Sequence, residues 1–494
     1  MAEVGSYHGN SKCVMSVSGS RIRGAQMAKT GSADRVARLI AVALIVAAAF
    51  YMNFRFVLVH FSNGGDLLDA GWFAWIMASG DPWLTSPSSV GELSYFNYHL
   101  SPYLSVLSVA FHLLGVDRFT ALALHQGAMF ALLTGSLCAL VLGSWSGPRS
   151  AMLLAAAALF MLVGDVVLQI ASYPHFEIAI TAFCLLGAAL WQRGHGLAGG
   201  VAFALACLVR EDGGLYAAAF LLGIAALRPL SRRTLTSPEA VLATGVIVAS
   251  LAMFWIKARY FPGYATFSSN FSGNGWAHLT PAFAAQRLLD LALNPHALTA
   301  LLTALVLAAF AIRYLVFPVL LLPLILAQAF AVRDQLGLFT RYYATPFVVI
   351  WAGLLIVAVD RVRTGKLRSI EAAMLLLSAV LGSGPFLYII QPPAWFPVAA
   401  TALVTPVADL TGLANAAASV SDAPGVCVST GVAALIPDSL LPSQVIDPAS
   451  DLALCRTIFL FNHDQHYDLL RPRVAGYAAG PVIDGRIERY DQRP

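Results

Sequence analysis

Eleven apolar runs, most of them about as long as the hydrocarbon core of a bilayer is thick, divide this chain of 494 residues. A helix needs roughly 17–25 apolar residues to cross that core. Inside lipid, only segments that satisfy every backbone N–H and C=O internally are tolerated. The runs lie at 38–59, 119–143, 151–171, 175–192, 196–209, 213–228, 239–257, 296–313, 315–332, 344–360 and 370–390. The expected fold is therefore an all-α integral membrane protein with about eleven transmembrane helices. Charged residues make up only 11% of the chain, against roughly 25% in soluble domains, which excludes a soluble fold. Runs 196–209 and 213–228 are short enough to form a re-entrant pair meeting at Arg210-Glu211-Asp212. Either reading leaves the parity of the topology unchanged, because the two go together.

The first run is too long for a signal-peptide core and lacks a small-residue cleavage site, so it reads as a membrane anchor. Arg21, Arg23, Lys29, Arg35 and Arg38 precede it. Further basic residues recur in alternate loops, at Arg149, Arg193, Arg228-Arg232-Arg233, Arg313 and Arg361-Arg363-Lys366-Arg368. The positive-inside rule then places residues 1–36 and these loops in the cytoplasm. The net charge of +4 is used up in such loops and gives no reason to expect a nucleic-acid partner.

Residues 37–390 form the membrane domain, with long outer loops at 60–118 and 258–295. The amphipathic stretch 102–116 reads as a helix lying at the interface. After Gln391-Pro392-Pro393 the composition shifts toward Pro, Asp and Arg, and β-like runs occur at Gly425–Ser429 and Thr457–Phe461. Residues 391–494 are therefore expected to be a small extracytoplasmic α/β appendage. Cys427 and Cys455 both lie there, where a disulfide can persist, but spacing alone leaves their pairing open. Cys138, Cys184 and Cys207 sit in apolar runs and read as packing residues.

The polar clusters fall on one predicted face, the outer one. They are Asp66 with Asp69, His99, His175 with Glu177, Arg210-Glu211-Asp212, Ser268-Ser269-Asn270, and Arg341-Tyr342-Tyr343. Polar groups gathered at one boundary suit chemistry on something lipid-linked rather than a pore. Asp66 is placed to act as a general base or to hold a divalent cation; as a solvated loop acid or helix cap it would need no function. His175 and Glu177 are two apart, so they do not share a helical face. His, Asp and Glu suit a divalent metal ion, but no ligand spacing identifies one. Arg210-Glu211-Asp212 interrupts apolar sequence, where charge is costly and either functional or internally paired. Arg341 is suited to a phosphate or to snorkelling toward headgroups. No Walker A motif, dinucleotide fingerprint, GxSxG or CxxC is present, which counts against nucleotide hydrolysis and triad chemistry.

With these residues the chain resembles the polytopic prokaryotic proteins grouped as domain of unknown function 2079, which are related to the GT-C class of membrane glycosyltransferases. Asp66-Leu67 and Trp75 keep that family's first-loop spacing, without its Phe and Gly. His99-Leu100-Ser101-Pro102, with Gln126 downstream, corresponds to its His-Phe-Ser-Pro element. Pro174-His175-Phe176-Glu177 corresponds to its His-Pro-Glu, Arg210-Glu211-Asp212-Gly213 to its Lys-Glu-Asp, and Arg341-Tyr342-Tyr343-Ala344-Thr345-Pro346 to its His-Tyr-Ser-Ala-Pro. The resemblance covers about residues 40–390. It implies a GT-C-like fold and transfer of a sugar from a polyprenyl-phosphate donor to an extracytoplasmic acceptor. Asp66 would be base or cation ligand, and His99, His175 and Glu177 would line the site. Glu211 or Asp212 would orient the acceptor or a metal, Arg210 and Arg341 would hold lipid phosphate, and Tyr342 would belong to the substrate site. The other classes open to such a chain are a transporter or flippase for a lipid-linked or polar solute, and a non-catalytic envelope assembly protein.

Overall fold

The computed structural model describes residues 32–63, 68–228, 237–263, 268–273, 275–390, 403–421, 424–462, 464 and 466–493. Contacts divide the chain into two compact units, residues 1–45 and 46–494. The described part of the first is helical, the beginning of α1 (Ser32–Ser62).

The second unit is mostly helical. After α1 come α2 (Leu68–Ala78), α3 (Pro102–Leu113), α4 (Arg118–Leu142), α5 (Pro148–Val163), α6 (Asp165–Ala171), α7 (Ile178–Gln192), α8 (Gly196–Val209) and α9 (Gly213–Leu227). Then follow α10 (Pro238–Tyr260), α11 (Pro281–Leu293), α12 (Pro295–Ala308), α13 (Val316–Ala329), α14 (Thr345–Arg363), α15 (Ser369–Leu381) and α16 (Gly384–Ile390). Local chemistry sets several starts. The Asp117 carboxylate accepts from the N–H groups of Phe119 and Thr120 to open α4, and Ser237, Thr280 and Asn294 cap helices whose next residue is Pro. A side-chain acceptor followed by proline satisfies the orphan donors of a first turn and fixes φ at the same time.

Among the described residues, five helical segments are long and apolar enough to cross a membrane: Asp34–Ser62, Arg118–Leu142, Pro238–Tyr260, Ile312–Ala329 and Asp334–Arg363. A sixth is obtained if α11 and α12, bent by 71°, are counted together. The central element is α14, whose residues from Pro346 to Val359 are all buried. It packs against α4, α7, α9, α12 and α13.

Two runs expected to be continuous are broken. The run 151–171 divides at Gly164, between α5 and α6, and the run 370–390 divides at Gly382-Ser383, between α15 and α16. The breaks face each other. The Asp165 N–H donates to the Gly382 carbonyl at 2.8 Å, and Gly164 and Ser383 form an isolated β-bridge. The Asp165 N–H and the Gly382 carbonyl, each at the end of a helical ladder, are thereby partners for each other. The run 296–313 is also shorter than expected, because α12 ends at Ala308 and a separate 3-10 turn, Ile312–Leu315, follows.

The C-terminal segment contains α17 (Leu410–Ser421), α18 (Thr430–Leu435) and strands β1 (Val426–Ser429), β2 (Val445–Ile446), β3 (Thr457–Phe461), β4 (Ala478–Ile483) and β5 (Ile487–Asp491). The sheet order is β2-β1-β3-β5-β4. The first three strands are parallel, and β5 pairs antiparallel with both β3 and β4. Cys427 on β1 and Cys455 just before β3 form a disulfide, the pairing that spacing left open. This domain packs on α2 through α18. A Cβ at Gly71 would lie 2.2 Å from the Ala434 carbonyl oxygen, so only glycine permits the approach.

Candidate functional site

The Arg210-Glu211-Asp212 turn joins the antiparallel helices α8 and α9, and its three charged side chains point to different partners. Arg210 has extended backbone, φ −159° and ψ 156°, which ends α8. Its guanidinium is bonded to Glu177 through Nη1, and to Asp212 through Nη2 and through Nε at 2.6 Å. Glu211 reaches the other way. One carboxylate oxygen lies 2.7 Å from His99 Nδ1, and the other accepts the Leu100 N–H at 3.1 Å.

The next residue of that loop completes the fastening. Ser101 donates its hydroxyl to the Val209 carbonyl at 2.6 Å and caps α3, with Pro102 in the first helical position. A carbonyl at the end of α8 that would otherwise lack a partner is thereby satisfied. His99-Leu100-Ser101 is thus held residue by residue against Val209 and Glu211.

Glu177 stands at the start of α7, two residues after His175. The imidazole of His175 lies edge-on to Phe73 at 4.4 Å and parallel to Tyr342 at 4.1 Å. Gln126 on α4 donates to the His175 carbonyl at 2.7 Å. Tyr342 lies in a 3-10 turn, Arg341–Ala344, that leads into α14. Arg341 enters that turn at φ 59°, a left-handed conformation that costs a non-glycine residue free energy and is found where function requires it. Its guanidinium sits 4.2 Å above the Tyr173 ring. The Tyr173 hydroxyl donates to Asp69 at 2.5 Å, in the first turn of α2, where the helix dipole favours a carboxylate.

The structure therefore brings His99, His175, Glu177, Arg210, Glu211, Asp212, Arg341 and Tyr342 into one connected network. Asp66 lies outside the described residues. Of Ser268-Ser269-Asn270, Asn270 turns elsewhere and accepts from Arg333 at 3.2 Å. Among the described residues, no three His, Cys, Asp or Glu side chains gather as a metal-ion site. Glu177 and Asp212 are bonded by Arg210, and Glu211 by the His99 imidazole.

The electrostatics follow from burial and pairing. Burial alone would raise the Asp212 carboxyl, but the Arg210 guanidinium beside it holds it below the usual carboxylate range. The Tyr95 hydroxyl is pushed well up by burial, reinforced by Glu177. Tyr95 belongs to an aromatic floor with Trp72, Phe73, Tyr98 and Phe176, with centroids about 5–6 Å apart. Trp72, Phe73, Tyr95 and Phe176 are buried, so this floor keeps water from beneath the network.

Sequence reasoning missed Tyr173, Tyr95 and His125. His125 is buried with neither ring nitrogen hydrogen-bonded; as a histidine inside an apolar run it carried a readable signal. The two tyrosines carried none, since aromatic residues are common at interfaces. Also unforeseen is a buried pair, His296 Nδ1 at 3.2 Å from Asp165, beside the facing helix breaks. A cavity of about 350 Å³ between Asp117-Arg118-Phe119 and α17 shares no residue with the network.

No family model matches the chain, and no curated protein or solved structure matches it.

Proposed function

We propose that this chain is an integral membrane glycosyltransferase of the GT-C kind, with about eleven membrane crossings and a cytoplasmic N-terminus. It moves a sugar from a polyprenyl-phosphate donor to an extracytoplasmic acceptor. The observation that carries the reading is the convergence of segments far apart in sequence (99–101, 175–177, 210–212 and 341–342) on one cluster of acid, base and guanidinium groups at helix ends. Packing needs no such set, and charges beside apolar helices are expensive unless used.

The placement of the C-terminal domain supports an outer site. Its disulfide belongs to an oxidising compartment. The domain rests on α2, the helix whose first turn carries Asp69. Cluster and domain then share the extracytoplasmic side. The eleven crossings require short helices such as α7, α8 and α9 to span. At 14 or 15 residues each they are about 21–22 Å long.

In the proposed reaction Arg341, set over Tyr173, faces the donor phosphate. Arg210 is held by two carboxylates and keeps their charges in register. The aromatic floor shields the cluster from water below, and departure of the lipid phosphate is eased by fixed positive charge. A donor-side role for a divalent ion would rest on Asp66.

The test is a deletion strain complemented with wild type or with Arg341→Gln at matched expression. Polyprenyl-linked sugars and envelope glycans are then read by mass spectrometry. Loss of a glycan sugar with accumulation of its lipid-linked donor, reversed only by wild type, supports transfer. An unchanged profile in the deletion strain removes the proposal.

A transporter is the second reading, favoured by one observation. Asp165 and His296, both buried, pair beside two facing helix breaks, and discontinuous helices around a buried polar site are a transporter device. An Asp165→Asn protein that abolishes solute uptake while leaving glycans intact would favour it.

A further inference from the structure

We infer that His99 is the base that takes the acceptor's proton, with Glu211 as its positioning residue; the assignment rests on the transferase reading above. The resemblance pointed to Asp66 for that task. The geometry at His99 is that of a prepared base. Nδ1 is engaged by Glu211 at 2.7 Å, and the second Glu211 oxygen is taken by the Leu100 N–H. Both carboxylate oxygens are bonded and the side chain is only 3% exposed, which keeps Glu211 away from substrate. A carboxylate accepts and does not donate, so the Nδ1 position carries the hydrogen and the lone pair is on Nε2. Among the described residues Nε2 has no hydrogen-bond partner. The His99 side chain is 21% exposed while that of Glu211 is 3% exposed. The ring therefore has one edge locked inside and the other open.

The loop cannot easily swing away. Ser101 is bonded to Val209 two residues beyond His99, and His99's own N–H donates to the Tyr95 carbonyl at 3.0 Å.

The acceptor hydroxyl gives its proton to Nε2 as its oxygen bonds to the anomeric carbon. The bond from that carbon to the phosphate oxygen breaks, and the lipid phosphate leaves with the electron pair. The imidazolium so formed is stabilised by the Glu211 carboxylate. Its proton then passes to solvent or to the departing phosphate.

The experiment uses membranes of the deletion strain carrying full-length wild type, His99→Gln, His99→Ala, Glu211→Gln or Arg210→Met at matched levels. A lipid extract of the deletion strain supplies the donor, and envelope glycan from the same strain supplies the acceptor. Transfer is followed by mass spectrometry. His99→Gln keeps a donor for Glu211 and hence the loop. It should lose at least roughly 100-fold in turnover, the usual share of a general base, with the half-saturating donor concentration unchanged. Added imidazole should restore His99→Ala in proportion to its concentration and leave Arg210→Met unrestored. Glu211→Gln should also lose turnover, and the loss should vanish when it is added to His99→Ala, because the two act as a unit.

His99→Gln within threefold of wild type overturns the assignment and leaves the transferase reading standing. So does a slow His99→Ala that imidazole does not restore. Absence of transfer by wild-type membranes, with an unchanged glycan profile in the deletion strain, overturns the transferase reading itself and the assignment with it.

Discussion

Replacing Arg210 by Met should destabilise the membrane domain far more than a typical single substitution does. The guanidinium is 15% exposed and bonded to Glu177 and Asp212, themselves 8% and 21% exposed. Methionine matches the aliphatic stem but leaves two largely buried carboxylates facing each other. Removing one member of a buried ion pair costs about 3–5 kcal/mol, because a charge is stranded where water cannot reach it. At about 2 °C per kcal/mol for a chain of this size, the midpoint of unfolding should fall by about 6–10 °C. Cys138, Cys184 and Cys207 are free and buried, so a thiol-reactive fluorophore reports their exposure as the detergent-solubilised protein unfolds. Replacing Cys13 by Ser removes a thiol from the N-terminal tail. Adding Glu177→Gln and Asp212→Asn to Arg210→Met removes the stranded charges and should recover most of the loss. A single variant that melts within 1 °C of wild type, or a triple variant no better than the single, refutes the argument that Arg210 is there to balance both carboxylates.

Three further outcomes are expected. Asp212 has its carboxyl held below 3.8, its ordinary value, so its charged pairing contributes stability above that pH and loses it as pH falls through the depressed value. The melting difference between wild type and Asp212→Asn should be constant from about pH 5 upward and shrink only below 3.8. The Cys427–Cys455 bridge closes a separation of 28 residues, and its loss by Cys427→Ser/Cys455→Ser should cost the C-terminal domain about 3–4 kcal/mol on the loop-entropy account, seen as faster proteolysis of residues 424–493. Gly71→Ala forces a methyl carbon toward the Ala434 carbonyl and should cost about 1–3 kcal/mol, read as increased protease access to α18 with little change at the far end of α2.

How much of this could be read in the sequence depended on whether the signal was local. Hydropathy located α4 and α10 to within three residues at each end and the body of α1, because desolvation of a continuous apolar run needs no partner to be recognised. The β-like runs at Gly425–Ser429 and Thr457–Phe461 became β1 and β3 for the same reason. The breaks at Gly164 and Gly382 escaped, since glycine in an apolar run usually remains helical and only the facing break makes interruption favourable. The candidate residues were visible one segment at a time, but their pairing was not. That Glu211 turns to His99 while Arg210 turns to Glu177, and that Tyr173 joins Asp69 to Arg341, are facts of tertiary placement. Asp165 stood alone in an apolar run and deserved suspicion from its charge; its partner His296 lies over a hundred residues away.

The facing breaks have a consequence for how the chain is made. Asp165 gives its N–H to Gly382, a residue synthesised more than two hundred positions later. Within hydrocarbon an unmatched backbone group costs several kcal/mol. At about 5–20 residues per second, the ribosome reaches Gly382 some ten to forty seconds after Asp165. If residues 148–171 cross the bilayer as proposed, they are stable there until then only as a straight helix, or in the shelter of the insertion machinery. On that reading the bend at Gly164 is an event of late assembly, timed by the arrival of residues 369–390. A chain truncated before Ser369 should leave Asp165 and its flanking helices in a conformation the complete protein does not keep.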